Sequence, residues 1–288
     1  MQAGARLPAY GAVTGWAALR WAGCRWFSGS DRGTPKPVAL ALGDLNSVRR
    51  HPQLALSREI LPPGTVRRVR GLRLTEPLWS VAHEMRKAPT EIAAVVAFEM
   101  AAYEDYVSTA ELAAFVDSAL WVRQGVQRIR DLLPLLEENS WSPMEPVMRL
   151  AWQASGQGRP RANRPVFNLN GSFVGTPDVL DPIAGVYGQY DGALHLAGEV
   201  RGQDVAKEAA YRDLGLEGVT MMAGDLRDNS AFLDRLQNAY ARAARKPADD
   251  RGWLLDEPEW WVPTWTVEMR RRLSAYDRSR VLRYRTAA

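Results

Sequence analysis

Three polar side chains, Asp178, Gln189 and Asp191, fall at strand spacing inside the apolar stretch VFNLNGSFVGTPDVLDPIAGVYGQYDGALH, Val166 to His195. Asn170-Gly171 suits the φ > 0 positions of a two-residue hairpin turn. Val166, Phe167 and Leu169 should therefore enter that turn and Phe173 and Val174 leave it, on a return strand that carries Asp178. Asp181-Pro182 is a second turn signal, and Val186 to Tyr190 reads as a third strand. Period two puts Gln189 and Asp191 on one face. Carboxylates on neighbouring strands stand about 5 Å apart and repel unless a proton or cation lies between them, and hard oxygen donors so arranged suit Mg²⁺. Acidic residues beside turns also serve local hydrogen bonding, so spacing alone leaves both readings open.

GTPDVLDP followed by GVYGQYDGALH resembles the core of the restriction-endonuclease-like, PD-(D/E)XK, superfamily in its very-short-patch-repair-like branch. The resemblance implies Asp178 and Asp191 as metal ligands, Mg²⁺ as cofactor and DNA as partner, with Asp191, Gly192 and His195 matching a D-G-x-x-H run. Gln189 falls where Glu is usual, and no Lys stands two residues later. An amide carbonyl adds no charge to a hard-cation site, so both departures weaken metal affinity and water activation.

The elements that must hold these residues begin at Ser142-Pro143-Met144-Glu145. Ser142 reads as an N-cap, Pro143 as the first helical residue and Glu145 as the partner of a capping box. The resemblance adds a second role for Glu145, leaning towards the metal, with Arg149 one turn on as an ion-pair partner. The loop Ser155 to Pro165, SGQGRPRANRP, offers Arg159 and Arg161 as phosphate contacts. After His195, Asp204 to Leu214 reads as an amphipathic helix, Gly218 to Ala223 as a buried strand, and Asp228 or Asn229 as the cap of a final helix.

The amino-terminal half reads as sheet then helices. Pro37 to Leu42, Gln53 to Ile60 and Thr65 to Leu74 are strand-like, the last with Arg67, Arg68, Arg70 and Arg73 alternating imperfectly against Val66, Val69 and Leu72. Glu76 to Leu136 is helical, with Pro77 in a first turn and Ser108 or Thr109 opening a later helix with Glu111. TGWAALRWAG, PVALAL and RGLRLTEPLWSVAHEM resemble the central region of actinobacterial proteins related to the AbiEi antitoxins of type IV toxin-antitoxin systems. Members of that group usually begin with a winged helix-turn-helix, which is not recognisable here. A cognate toxin is the partner this resemblance implies.

At 288 residues, 46% hydrophobic and 24% charged, the chain has the composition of a globular protein with room for two domains. The expected fold class is α/β: a small mixed α/β domain over residues 1–140, a restriction-endonuclease-like α/β domain with a central mixed sheet over 141–250, and a Trp-rich segment with a basic tail over 251–288. No run of about 18 apolar residues occurs, and Arg20 and Arg25 interrupt the first apolar stretch, which argues for a cytoplasmic protein without membrane contact. The lone Cys24 has no partner for an internal disulfide. The formal charge is +4, and the tail from Glu268 carries seven Arg against two acids. Arg270, Arg271 and Arg272 in that tail are candidates to neutralise phosphates, or a solvated helix face. Trp253, Trp260, Trp261 and Trp265 either stack on unpaired bases or cover an edge of the core. The expected function is that of a DNA-interacting protein in an antitoxin or defence setting, its metal-dependent endonuclease-like domain intact or degenerate. The alternative is a non-catalytic antitoxin or transcriptional regulator that uses the same fold as a binding platform.

Overall fold

A computed structural model describes residues 7–31, 33–43, 48–192, 198–247 and 250–285, and the chain divides into two compact units, Met1–Glu138 and Asn139–Ala288. Both are mixed α/β. In the first unit the order is β1 (Ala12–Thr14), α1 (Gly15–Ala22), β2 (Ser30–Asp31), β3 (Thr34–Pro35), β4 (Val38–Ala41), β5 (Leu54–Ser57), β6 (Val66–Val69), β7 (Leu72–Thr75), then α2 (Pro77–Lys87), α3 (Glu91–Tyr103), α4 (Thr109–Ser118) and α5 (Val126–Leu132). The five-stranded sheet runs β5-β4-β1-β7-β6. Val13, Leu40, Leu42 and Leu74 bury one face of it with Ala18 of α1.

Thr65 to Leu74 is a hairpin and not the single strand its composition suggests. Arg70 and Gly71 both take positive φ, 46° and 81°, the requirement of a two-residue turn whose twist matches its strands. The imperfect arginine alternation was the trace of that reversal. The helical half follows its local signals: the Ser108 hydroxyl accepts from the Glu111 N–H at 3.1 Å, and the Glu111 carboxylate accepts from the Ser108 N–H at 2.7 Å. That reciprocal cap satisfies two amide donors that the first turn leaves over.

The second unit is ordered α6 (Met144–Ala154), β8 (Arg161–Ala162), β9 (Val166–Phe167), β10 (Phe173–Gly175), β11 (Val179–Asp181), β12 (Val186–Asp191), α7 (Gly198–Asp213), β13 (Glu217–Met222), α8 (Ser230–Ala243), α9 (Val267–Arg272) and α10 (Ala275–Val281). Four strands make a mixed sheet, β13-β12-β11-β8, in which β11 is antiparallel to β8 and β12, and β12 is parallel to β13. Parallel neighbours need a crossover, and α7 is that crossover. Alternation along β11 and β12 divides the core. Val179 and Val186 face Met148 and Trp152 of α6 and Phe232 and Leu236 of α8, while Leu180 and Tyr187 face Tyr211 of α7 and Trp253.

Two expectations change here. The Asn170-Gly171 hairpin forms, with Gly171 at φ 74°, but its strands β9 and β10 are a separate two-stranded ribbon. Asp178 is therefore not on the return strand. Thr176-Pro177 ends that strand, since proline has no N–H to donate, and Asp178 stands in the bend just before β11 instead. The segment after residue 250 is also built into the unit: Trp253, Val267 and Leu282 are all buried, and the Trp253 indole donates to the Pro182 carbonyl at 3.1 Å. Among the described residues no helix is long and apolar enough to cross a membrane.

Candidate functional site

Helix α6 packs on β12 because Gly188 leaves room for it. A Cβ on Gly188 would stand 2.9 Å from the Trp152 ring and 3.2 Å from the Met148 sulfur. At its far end Trp152 donates to the Tyr240 hydroxyl (3.0 Å), which donates to Asp181 at the close of β11 (2.8 Å). Near its first turn stands Glu145, beside Asp178 at the opening of β11, so helix and strand deliver one carboxylate each to one end of the sheet.

Glu145 does not complete the predicted capping box. The helix begins at Met144 with no side-chain cap, and the Glu145 carboxylate is turned inward, 4% exposed. It accepts from the Trp141 N–H at 2.6 Å and from the Asn163 side-chain amide at 2.5 Å, and it also bonds Ser142. Burial, and then the charge of Asp178, hold this carboxyl well above the usual range, and the three hydrogen bonds offset only part of that. Arg149, the expected ion partner, is fully buried and donates to Gln153 at 3.2 Å.

Asp178 accepts from the Tyr190 N–H at 2.8 Å, which fastens the opening of β11 to β12. Since Val179 pairs with Gly188, the next step of the antiparallel register sets Asp178 opposite Gln189. Gln189 shares with Tyr187, Glu208 and Arg212 a cleft of about 290 Å³. Asp191, two residues on, is exposed at the end of β12, so strand rise carries it away from Asp178 by about 7 Å along the chain from Gln189. Asp178 thus lies across from Gln189 by register and close enough to Glu145 for its charge to act on that carboxyl. His195 lies outside the described residues.

Among the described residues no three His, Cys, Asp or Glu side chains gather into a ready-made ion cage. Mg²⁺ does not require one: it keeps several waters and is bound through one or two carboxylates together with substrate phosphates. Glu145, Asp178 and the Gln189 carbonyl are donors of that hard-oxygen kind. Asn163 Oδ1, buried next to Glu145, has no donor among the described residues, which leaves an acceptor for a water that a hydrated ion retains. In donor chemistry these residues suit a hydrated divalent ion.

No family model, curated protein or solved structure matches the chain. The site is therefore read from its own atoms.

The arginines divide by burial. Arg159 and Arg161 are exposed and line a cleft of about 610 Å³ with Phe167, Leu180, Asp181 and Trp253. Because Arg161 pairs with Leu180, that cleft sits towards the Asp181 end of β11, away from the Glu145–Asp178 end. Arg270 is not a surface cation: it is fully buried and donates to the Thr264 carbonyl at 2.8 Å. Arg271 is exposed, and Arg272, also exposed, pairs with Glu268 across one helical turn. Of the tryptophans, Trp253 covers the core, Trp265 lies under the Arg164 guanidinium at 4.1 Å, and Trp261 stacks on Phe173 with ring centres 5.3 Å apart. Trp260 is 59% exposed.

The residues that sequence reasoning missed are Asn139 and Asn163. Asn163 takes φ 46°, a left-handed conformation that Asn tolerates better than other side-chain-bearing residues. An asparagine between Arg-Ala and Arg-Pro was the available signal, and it reads equally as loop.

Proposed function

We propose that the second unit acts on DNA through a divalent-cation site formed by Glu145 and Asp178, with Gln189 as a neutral third donor. The observation that carries this reading is the buried Glu145 carboxylate close to Asp178 at one end of a mixed sheet, with the unfilled Asn163 amide acceptor next to Glu145. The order helix, antiparallel strands, crossover helix, parallel strand agrees with what the endonuclease resemblance implies. A divalent ion at such a site supplies Lewis acidity towards a phosphodiester and an acidified water. This chain's own part is to hold the two carboxylates in place: Glu145 through the Trp141 N–H and Asn163, and Asp178 through the Tyr190 N–H. With Gln189 in place of a carboxylate, cleavage by the natural sequence is expected to be weak. The antitoxin resemblance of the first unit supports a toxin-antitoxin or defence setting for this activity, with a cognate toxin as the proposed partner.

Mn²⁺-dependent nicking of supercoiled plasmid tests the reading, with Asp178→Ala as control. Nicking that is absent from the wild type but present in Gln189→Glu supports a degenerate site. Nicking that survives Asp178→Ala overturns the assignment. A non-catalytic DNA-binding platform is favoured by one specific observation, the neutral Gln189, and predicts neither Mn²⁺ binding nor nicking.

A further inference from the structure

Asn163 makes contacts that a simple loop residue would not need. Its side-chain amide donates twice, to the Asn139 carbonyl at 2.8 Å and to the Glu145 carboxylate at 2.5 Å. Asn139 returns the contact, donating to the carbonyls of Ala162 at 3.2 Å and Asn163 at 2.9 Å, and its own side-chain oxygen accepts from the Trp141 indole at 3.2 Å. Asn139 and Asn163 are each 3% exposed. The backbone N–H of Asn163 donates to the Asp178 carbonyl at 3.0 Å. One residue thus touches the main chain of one carboxylate and the side chain of the other. It does so from a left-handed backbone, φ 46°, a conformation Asn adopts more readily than other side-chain-bearing residues.

A residue that only had to link β8 to β9 would not need the bond to a buried carboxylate. Asn163 Oδ1 is left without a donor among the described residues, which is unfavourable for a buried acceptor. The carboxylate bond and the open acceptor together make sense if the side chain is aimed for a ligand. We propose that Asn163 is a positioning residue: held by Asn139, it turns the Glu145 carboxylate towards Asp178 and offers Oδ1 to a water of the ion that the two carboxylates bind. This rests on the metal reading above. Groups that orient metal ligands from behind are worth about 10–100-fold in affinity.

The test is Mn²⁺ titration of the full chain by calorimetry, with Asn163→Gly and Asn163→Ala. Glycine keeps the left-handed backbone and removes the amide; alanine removes the amide and strains the backbone. Both are expected to weaken Mn²⁺ binding by about 10-fold or more, and by the same factor, although Ala melts lower than Gly. Wild-type affinity in Asn163→Gly makes Asn163 a loop closure and overturns the inference alone. Absence of Mn²⁺ binding by the folded wild type overturns it together with the metal reading, so the two failures are told apart. A second measurement needs no variant: in the wild type, the Asn163 side-chain amide resonances should shift as Mg²⁺ is added, saturating with the ion. Resonances unmoved at saturation also overturn the proposal.

Discussion

Replacing Glu145 by Gln tests whether the acidic pair carries electrostatic strain. The Glu145 oxygen that accepts from Trp141 and Asn163 is retained as an amide oxygen, and the Ser142 hydroxyl that bonds this carboxyl can turn to accept from the new NH₂. Hydrogen bonding is conserved and one charge is removed. Burial and the Asp178 charge raise the folded-state pKa of Glu145, so the fold keeps this proton at pH values where the unfolded chain has released it. The native state then binds more protons than the unfolded state. Wild-type stability therefore falls as pH rises from the unfolded carboxyl value, about 4.3, through the raised folded value, and levels off above it. Glu145→Gln removes that slope. Relieving an unfavourably buried polar group is worth on the order of 1–3 kcal/mol, and a unit of this size melts about 2–4 °C higher per kcal/mol. The variant is expected to melt roughly 2–12 °C above wild type at pH 8, with the gap closing towards pH 4. Mg²⁺ should narrow the gap at pH 8 by stabilising the wild type alone. Thermal melts from pH 4 to 8, with and without Mg²⁺, give the result. A variant that melts several degrees below wild type at pH 8 would falsify the argument, because the ionised carboxyl would then be favourable where it stands.

Gln189→Glu should tighten Mn²⁺ binding by adding a carboxylate beside Asp178; calorimetry showing unchanged affinity in a folded variant removes Gln189 from the site. Arg270→Ala should cost about 2–3 kcal/mol in denaturant unfolding, as the loss of a buried hydrogen-bonded cation does, whereas Arg272→Ala should change stability by less than about 0.5 kcal/mol. If Arg272 contacts DNA, its loss lowers the salt slope of binding by about 0.9, and an unchanged slope marks it as a solvated face. Gly71→Ala, at φ 81°, should cost about 1–2 kcal/mol; a neutral result would mean that the β6–β7 turn is not of the type described.

Local structure was legible wherever the determining contacts are themselves local. The Ser108–Glu111 cap, Pro77 opening α2, and strands β4, β12 and β13 follow from capping chemistry and period, because each is decided within a few residues. Turns read less well. Asn170-Gly171 was recognised as a hairpin, but the Arg70-Gly71 hairpin was hidden by arginines on both of its strands. The pairing of the acids was only half legible: alternation put Gln189 and Asp191 on one face, while the register that sets Asp178 opposite Gln189 depends on which strand Asp178 leads into, and Pro177 decided that. Three facts belong to tertiary structure alone. Glu145 looked like a cap, but α6 packs on Gly188 closely enough to turn its carboxylate inward. Arg270 looked like a phosphate contact within a basic run, but the turn of α9 and the Thr264 carbonyl bury it. Asn163 looked like loop, and its partners Asn139 and Glu145 lie 24 and 18 residues away. Composition and spacing specify what a residue is able to do with its near neighbours. Desolvation, and the field of a second charge brought in from another element, exist only once the chain has closed on itself, and those two effects separate a buried acid beside Asp178 from an ordinary helix cap.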